Sequence, residues 1–117
     1  RPSDMSVESS EPSLPEGVQV VRWPHARPLP EEEVTRFFDA RGLRWGRWSN
    51  GPREVYAIHA HAYRKTLFCM EGSITFTLPD ADRSVELRQG DRLILPPNLR
   101  HGAVVGPGGV TCIEAGE

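Results

Sequence analysis

The sequence is poor in lysine, in cysteine and in long apolar runs. It has 117 residues, a net charge of −2, one lysine among thirteen arginines, and two cysteines. No apolar run approaches the ~20 residues of a membrane-spanning helix, and no basic excess favours a nucleic acid or a membrane surface. The cysteines, Cys69 and Cys112, lie in apolar, strand-like segments, which is typical of buried thiols rather than of a disulfide framework. We therefore expect a reduced, cytoplasmic protein that binds neither nucleic acid nor membranes.

A flexible N-terminal arm is predicted for residues 1–16, which are rich in Pro, Ser and Glu and offer little to bury. Residues 17–117 are long enough for one compact domain with one core. Within this domain, one short helix is predicted at about residues 30–41. Pro30 suits its first turn, the three glutamates that follow suit the positive end of the helix dipole, and Gly42 ends it.

Many short strands are predicted, because runs of β-branched and aromatic residues alternate with Gly and Pro turns. They span residues 18–23, 43–48, 55–61, 66–70, 73–78, 84–87, 92–95, 100–105 and 110–115. The sequence also predicts a turn at Glu71-Gly72 and a final hairpin around residues 106–109. Even spacing of short strands favours an antiparallel sandwich or a small barrel.

Two histidines lie in one predicted strand. His59 and His61 are two residues apart, so their side chains share one face of that strand. We expect this face to line the barrel interior together with Val55 and Ala57, and we expect Tyr56 on the opposite face. Two imidazoles on one face are a typical start of a metal site.

A third histidine, His101, begins a later predicted strand, shortly after the rigid turn at Pro96-Pro97. If all three histidines converge, they can form a metal site. The alternative is that they are interior polar residues without a ligand. The fourth histidine, His25, lies in a Pro-rich connector, and we expect it to be exposed and without a role.

These segments resemble the two motifs of the cupin superfamily, G-x5-H-x-H-x3–4-E-x6-G and G-x5-P-x-G-x2-H-x3-N. The first motif, at residues 59–72, is matched by His59, His61 and Gly72, with Lys65 at the position of its glutamate. The second motif, at residues 90–101, is matched by Gly90, Pro96 and His101, with Asn98 at the position of its glycine. The resemblance covers about residues 51–115. It implies an all-β fold, an antiparallel double-stranded β-helix (the cupin jelly-roll barrel) with one short N-terminal helix.

Some positions depart from the family motifs. Lys65 stands in place of the glutamate ligand, Asn98 in place of a glycine, and Val105 in place of the terminal asparagine. Arg53 stands at the position, six before His59, where the family has glycine. Asparagine tolerates a positive φ, so we expect the turn at Asn98 to be kept. The role of the family's glutamate does not carry over to Lys65.

The resemblance implies that His59, His61 and His101 bind a divalent metal ion. Histidine nitrogen does not discriminate between Fe, Mn, Ni, Zn and Cu, so the identity of the metal stays open. The resemblance also implies a homodimer, and the strand predicted at residues 18–23 is well placed to pair with a second protomer.

Lys65 has the same strand parity as His59 and His61, and we expect it to face the barrel interior. A cation beside a divalent metal favours an anionic ligand such as a carboxylate, an enolate or a phosphate. Repulsion by the metal would also ease deprotonation, so Lys65 is a candidate catalytic acid or base. The alternatives are a structural ion pair and an ammonium group that reaches out of the barrel mouth.

The sequence thus predicts a small metal-binding cupin whose three-histidine site binds a small anionic molecule. An oxygenase and an isomerase or lyase both fit such a site. The alternative is a non-enzymatic domain that binds or senses a small molecule.

Overall fold

The computed structural model describes residues 14–117. Most of the predicted N-terminal arm, residues 1–13, lies outside the described residues. The described part forms one α-helix, α1 (Glu31–Ala40), one short 3-10 helix (Pro79–Ala81) and seven strands. The strands are β1 (Gln19–Val21), β2 (Trp45–Asn50), β3 (Val55–His59), β4 (Lys65–Leu78), β5 (Arg83–Arg88), β6 (Arg92–Leu95) and β7 (His101–Gly116). Within residues 14–117, every helix falls short of the length and apolarity that crossing a bilayer demands.

The strands join one antiparallel sheet. Its main path runs β1-β6-β4-β7-β2, while β5 pairs with β4 and β3 pairs with β7. The long strands β4 and β7 pair from Lys65 opposite Gly116 to Thr77 opposite Gly102. This arrangement confirms the predicted all-β antiparallel architecture with one short N-terminal helix.

The predicted turn at Glu71-Gly72 and the predicted hairpin around residues 106–109 are wrong, because β4 and β7 each continue through these segments. The pairing shifts register between Gly72 and Ile74, where β7 carries extra residues. Gly72 has φ +72, and a Cβ there would overlap the carbonyl oxygen of Gly109. The glycines therefore allow two bent strands to approach closely, and they do not reverse the chain.

The helix lies where the sequence predicts it. It begins at Glu31, directly after Pro30, and Arg41 caps its last turn before Gly42 at φ +68. Val34 and Phe38 are buried on the face that packs against the sheet.

Side chains at alternate strand positions form two apolar clusters. The cluster inside the barrel includes Val20, Leu67, Cys69, Ile74, Leu87 and Cys112. The second cluster lies on the outer face, where Phe68, Met70 and Ile113 pack under α1. Both cysteines are free and buried, as predicted.

Candidate metal centre

The three motif histidines come together in space. His59 ends β3 and pairs with His101 at the start of β7, and His61 lies two residues beyond β3. One ring nitrogen from each histidine lies within 4.8 Å of the others. The Nε2 atoms of His59 and His61 are 3.1 Å apart. The three histidines could therefore hold one metal ion.

Backbone carbonyls orient two of the rings. The Nδ1 atom of His59 lies 2.8 Å from the carbonyl oxygen of Ala57, and that of His101 lies 2.9 Å from the carbonyl oxygen of Leu99. A carbonyl only accepts hydrogen bonds, so each Nδ1 donates its hydrogen and each Nε2 keeps a free lone pair. The Nε2 lone pairs are thus available to a ligand.

Two contacts position His61: ring stacking on Tyr63 and a backbone hydrogen bond from Asn98. Its ring stacks on Tyr63, with the ring centroids 4.9 Å apart. Its carbonyl oxygen accepts a hydrogen bond of 2.6 Å from the backbone amide of Asn98. Asn98 has φ +67 and Arg53 has φ +65, so both residues that replace motif glycines keep the left-handed backbone. The predicted turn at Asn98 is confirmed.

Burial lowers the pKa of both His61 and His101. For His61 the next causes are the positive charge of Lys65 and the neighbouring imidazoles, while Glu114 opposes them. For His101 the hydrogen bond to Leu99 partly offsets burial, and His59 and Lys65 lower the pKa further. These two imidazoles are therefore neutral at pH 7, the protonation state that metal binding requires.

The predicted orientation of the residues before His59 is wrong. Val55 is 69% exposed and Ala57 is also exposed, whereas Tyr56 lines the same pocket as the histidines. The pairing of β3 with β7 is irregular between Tyr56 and His59, and such a bulge reverses the side-chain alternation. The side-chain amide of Asn50 donates a hydrogen bond to the Tyr56 hydroxyl group.

The histidines open into a cavity of about 300 Å³ inside the barrel. Its walls combine aromatic and aliphatic side chains with a few polar groups. The other lining residues include Trp48, Ser49, Asn50, Tyr56, Lys65, Leu67, Phe76 and Glu114. The fourth histidine, His25, is exposed and contacts Trp23. It does not line this cavity.

An ion pair lies in the wall of this cavity. The Nζ atom of Lys65 is 3.4 Å from a carboxylate oxygen of Glu114, and the two side chains are 12% and 25% exposed. Lys65 thus faces the cavity, and it also forms an ion pair. Sequence reasoning missed Glu114. The available signal was a lone carboxylate in the otherwise uncharged strand segment 110–115.

Comparison with known protein families and with curated proteins finds no match. Solved structures do match. An RmlC-like cupin from Shewanella frigidimarina is 18% identical with a TM-score of 0.56, over 88% of this chain and 78% of that one. This chain has the cupin fold. A DUF861 family protein from Thermotoga maritima is similar to this chain, with 18% identity and a TM-score of 0.59, over 83% and 96% of the two chains.

The polyketide cyclase RemF from Streptomyces resistomycificus is also similar to this chain. It is 19% identical with a TM-score of 0.58, over 86% of this chain and 66% of that one. At such identities the likeness shows the fold alone.

The side chains of the three histidines fit a divalent transition metal. Three imidazoles whose ring nitrogens converge form a donor set that suits Fe, Mn, Ni, Zn or Cu. Lys65 stands where the resemblance to the first cupin motif implies a carboxylate ligand. Glu114 supplies a carboxylate from the neighbouring strand β7, opposite Leu67.

Proposed function

We propose that this cupin is a metal-dependent isomerase or lyase that acts on a small carboxylate-bearing substrate. One observation carries the proposal: the convergent imidazoles and the Lys65–Glu114 ion pair line one cavity. His59, His61 and His101 would hold the metal. When bound there, a divalent metal supplies a Lewis acid that polarises a substrate oxygen.

Charge balance favours an anionic ligand. Imidazole is a neutral metal ligand, so three of them would leave the charge of a divalent ion uncompensated, while Lys65 and Glu114 neutralise each other. The loaded cavity would therefore carry the net charge of the metal. Its walls are mostly apolar, so solvent screens this charge poorly and a carboxylate is attracted to it.

The ion pair supplies the groups for proton transfer. The Glu114 carboxylate would accept a proton from a substrate carbon next to the polarised carbonyl group. The Lys65 ammonium group would donate a proton to the substrate and would orient its carboxylate. A base and an acid in one cavity suit isomerisation and elimination, which both move a proton without a redox change.

Proton exchange in heavy water tests this proposal. The protein is loaded with Zn²⁺, Mn²⁺, Ni²⁺ or Fe²⁺, and NMR follows the hydrogens next to the carbonyl group of small oxo-carboxylates. We expect Lys65→Met and Glu114→Gln each to slow exchange by about 100-fold without changing the metal content. Arg64→Met is the matched control, because it breaks only the more exposed pair with Glu117. Absence of exchange across the panel, or equal rates in every protein, would contradict the proposal.

Two other functions fit the same donor set. Oxygen uptake by the Fe²⁺-loaded protein with thiols or β-dicarbonyls would indicate an oxygenase. Saturable binding of malonate without turnover of any compound would indicate a binding or sensor domain. Either result would replace the isomerase or lyase proposal.

We also propose that the protein forms a homodimer through β1. This strand ends the main path of the sheet and pairs with β6 along one side. Within residues 14–117, its other side has no partner strand, and such an edge is usually covered. Light scattering should give twice the mass of the chain, and the mass of a monomer would contradict the proposal.

A further inference from the structure

A second cavity, of about 270 Å³, lies outside the barrel between α1 and the strands β1, β4 and β6. Phe68 lines this cavity, whereas its neighbour Leu67 lines the three-histidine cavity. Successive side chains of a strand point to opposite faces, so the two cavities lie on opposite faces of β4. The second cavity is therefore separate from the metal centre.

Aromatic rings and two arginines, Arg22 and Arg92, line this second cavity, and Arg22 forms an ion pair with Asp91. Trp23, Phe37 and Phe68 line it together with Arg92, and the exposed Glu33 lies at its rim. The guanidinium carbon of Arg92 is 5.3 Å from the ring centroid of Phe37 and 5.6 Å from that of Phe68. These distances allow cation–π contacts that fix the group against the aromatic walls.

The position of Arg92 in the sheet explains why its side chain lies under α1. Its backbone pairs with Val21 of β1 on one side and with Phe68 of β4 on the other. Its side chain therefore projects from the middle of three strands into the space under α1, where it is half-buried.

Arg92 is half-buried, and it has no counter-charge among residues 14–117. Its Nε atom is buried and has no hydrogen-bond partner. The ion pairs between residues 14–117 do not include Arg92. Burial lowers the pKa of Arg92, and the positive charges of Arg41 and Arg64 add to this effect. The positive charge of this half-buried group thus has no counter-charge, and an anion bound in the cavity would supply one.

We propose that the second cavity binds a small, flat monocarboxylate with one aromatic ring. The rings of Trp23, Phe37 and Phe68 offer faces for stacking, and the Arg92 fork can hold a carboxylate through two parallel hydrogen bonds. The volume lies just below the range that is usual for drug-sized ligands, which suits a molecule with a single ring. Glu33 at the rim disfavours dianions such as phosphate more than it disfavours a monoanion.

Titration of the full chain with benzoate, followed by amide NMR, tests this site. Saturable shifts should appear at Phe68, Gly90 and Arg92. Arg92→Met should weaken benzoate binding by about tenfold or more, the loss expected for a charge-assisted pair. Glu33→Gln should tighten it, because the substitution removes a repulsive charge. Arg36→Met is the matched control, since Arg36 is an exposed arginine of α1 paired with Glu32, and it should leave binding unchanged.

Benzyl alcohol carries an aromatic ring without a charge, and phosphate carries a negative charge without a ring. The two compounds therefore test the contributions of the ring and of the charge separately. Both should bind more weakly than benzoate to the unmodified protein, and this comparison holds even if Arg92→Met fails to fold. Arg92→Lys keeps the positive charge but loses the planar guanidinium group that can donate two parallel hydrogen bonds, so it should also weaken benzoate binding. Benzyl alcohol or phosphate that binds as tightly as benzoate would overturn the proposal. Shifts confined to His61, His101 and their neighbours would overturn it too, because the carboxylate would then occupy the three-histidine cavity.

Discussion

The ammonium nitrogen of Lys65 lies 3.4 Å from a carboxylate oxygen of Glu114, across two paired strands in the wall of the three-histidine cavity. Lys65 is the one lysine of the chain, and the resemblance to the cupin motifs implies a glutamate ligand at its position. A carboxylate does line the cavity, but it belongs to Glu114 of β7, which forms an ion pair with Lys65.

Removal of Lys65 alone should destabilise the fold. Lys65→Met leaves the partly buried Glu114 carboxylate without its partner, and we expect the free energy of unfolding to fall by about 1–3 kcal/mol. The double variant Lys65→Met/Glu114→Gln should recover most of this loss, because it removes the unpaired charge. Urea denaturation of the metal-free proteins measures both effects. A double variant no more stable than Lys65→Met would refute this account of the pair.

A methyl group at Gly116 should disturb the metal centre through Tyr63. A Cβ at this position would lie 2.5 Å from the Tyr63 ring, which stacks on His61. We expect Gly116→Ala to weaken Zn²⁺ binding by about tenfold or more, as loss of a supporting contact to a ligand does. Gly108→Ala is the control, because nothing lies within 4 Å of a Cβ there. Equal Zn²⁺ affinities, measured by competition with a chelator, would mean that Tyr63 does not position His61.

The stability of the metal-free protein should depend on pH through the histidines. The pKa values of His61 and His101 are lowered from 6.5 in the folded chain. As the pH falls below 6.5, the unfolded chain takes up protons before the folded chain does. The free energy of unfolding therefore decreases as the pH falls towards the folded pKa values.

Urea denaturation at about pH 7.5 and about pH 5.5, in the presence of a chelator, measures this decrease. His61→Gln should show a smaller decrease than the unmodified protein, because it removes one of the two groups. A His61→Gln variant with an unchanged pH dependence would show that His61 does not contribute.

Local patterns predicted an antiparallel β architecture, and β6 has the bounds predicted for it. The resemblance to the cupin motifs predicted that His59, His61 and His101 meet, and the structure brings them together. The turn predicted at Gly72 is wrong, because a glycine with positive φ occurs both in turns and where two strands approach closely. The position of the glycine in the sequence does not distinguish these two situations.

The remaining errors concern contacts between distant segments. Val55 was assigned to the wrong face because a bulge in the pairing of β3 with β7 interrupts the strict alternation. Glu114 was missed because its partner, Lys65, belongs to another strand, and strand pairing is not encoded in local spacing. The Arg92 cavity likewise depends on how α1 packs on the sheet.

Metal content is the most direct test of the central claim, that His59, His61 and His101 form a metal centre. The protein is purified without an affinity tag and analysed by inductively coupled plasma mass spectrometry, before and after incubation with Fe²⁺, Mn²⁺, Ni²⁺ and Zn²⁺. We predict close to one divalent ion per chain, and its loss in His61→Ala. A protein that stays metal-free with all four ions, or His61→Ala with an unchanged metal content, would contradict the account.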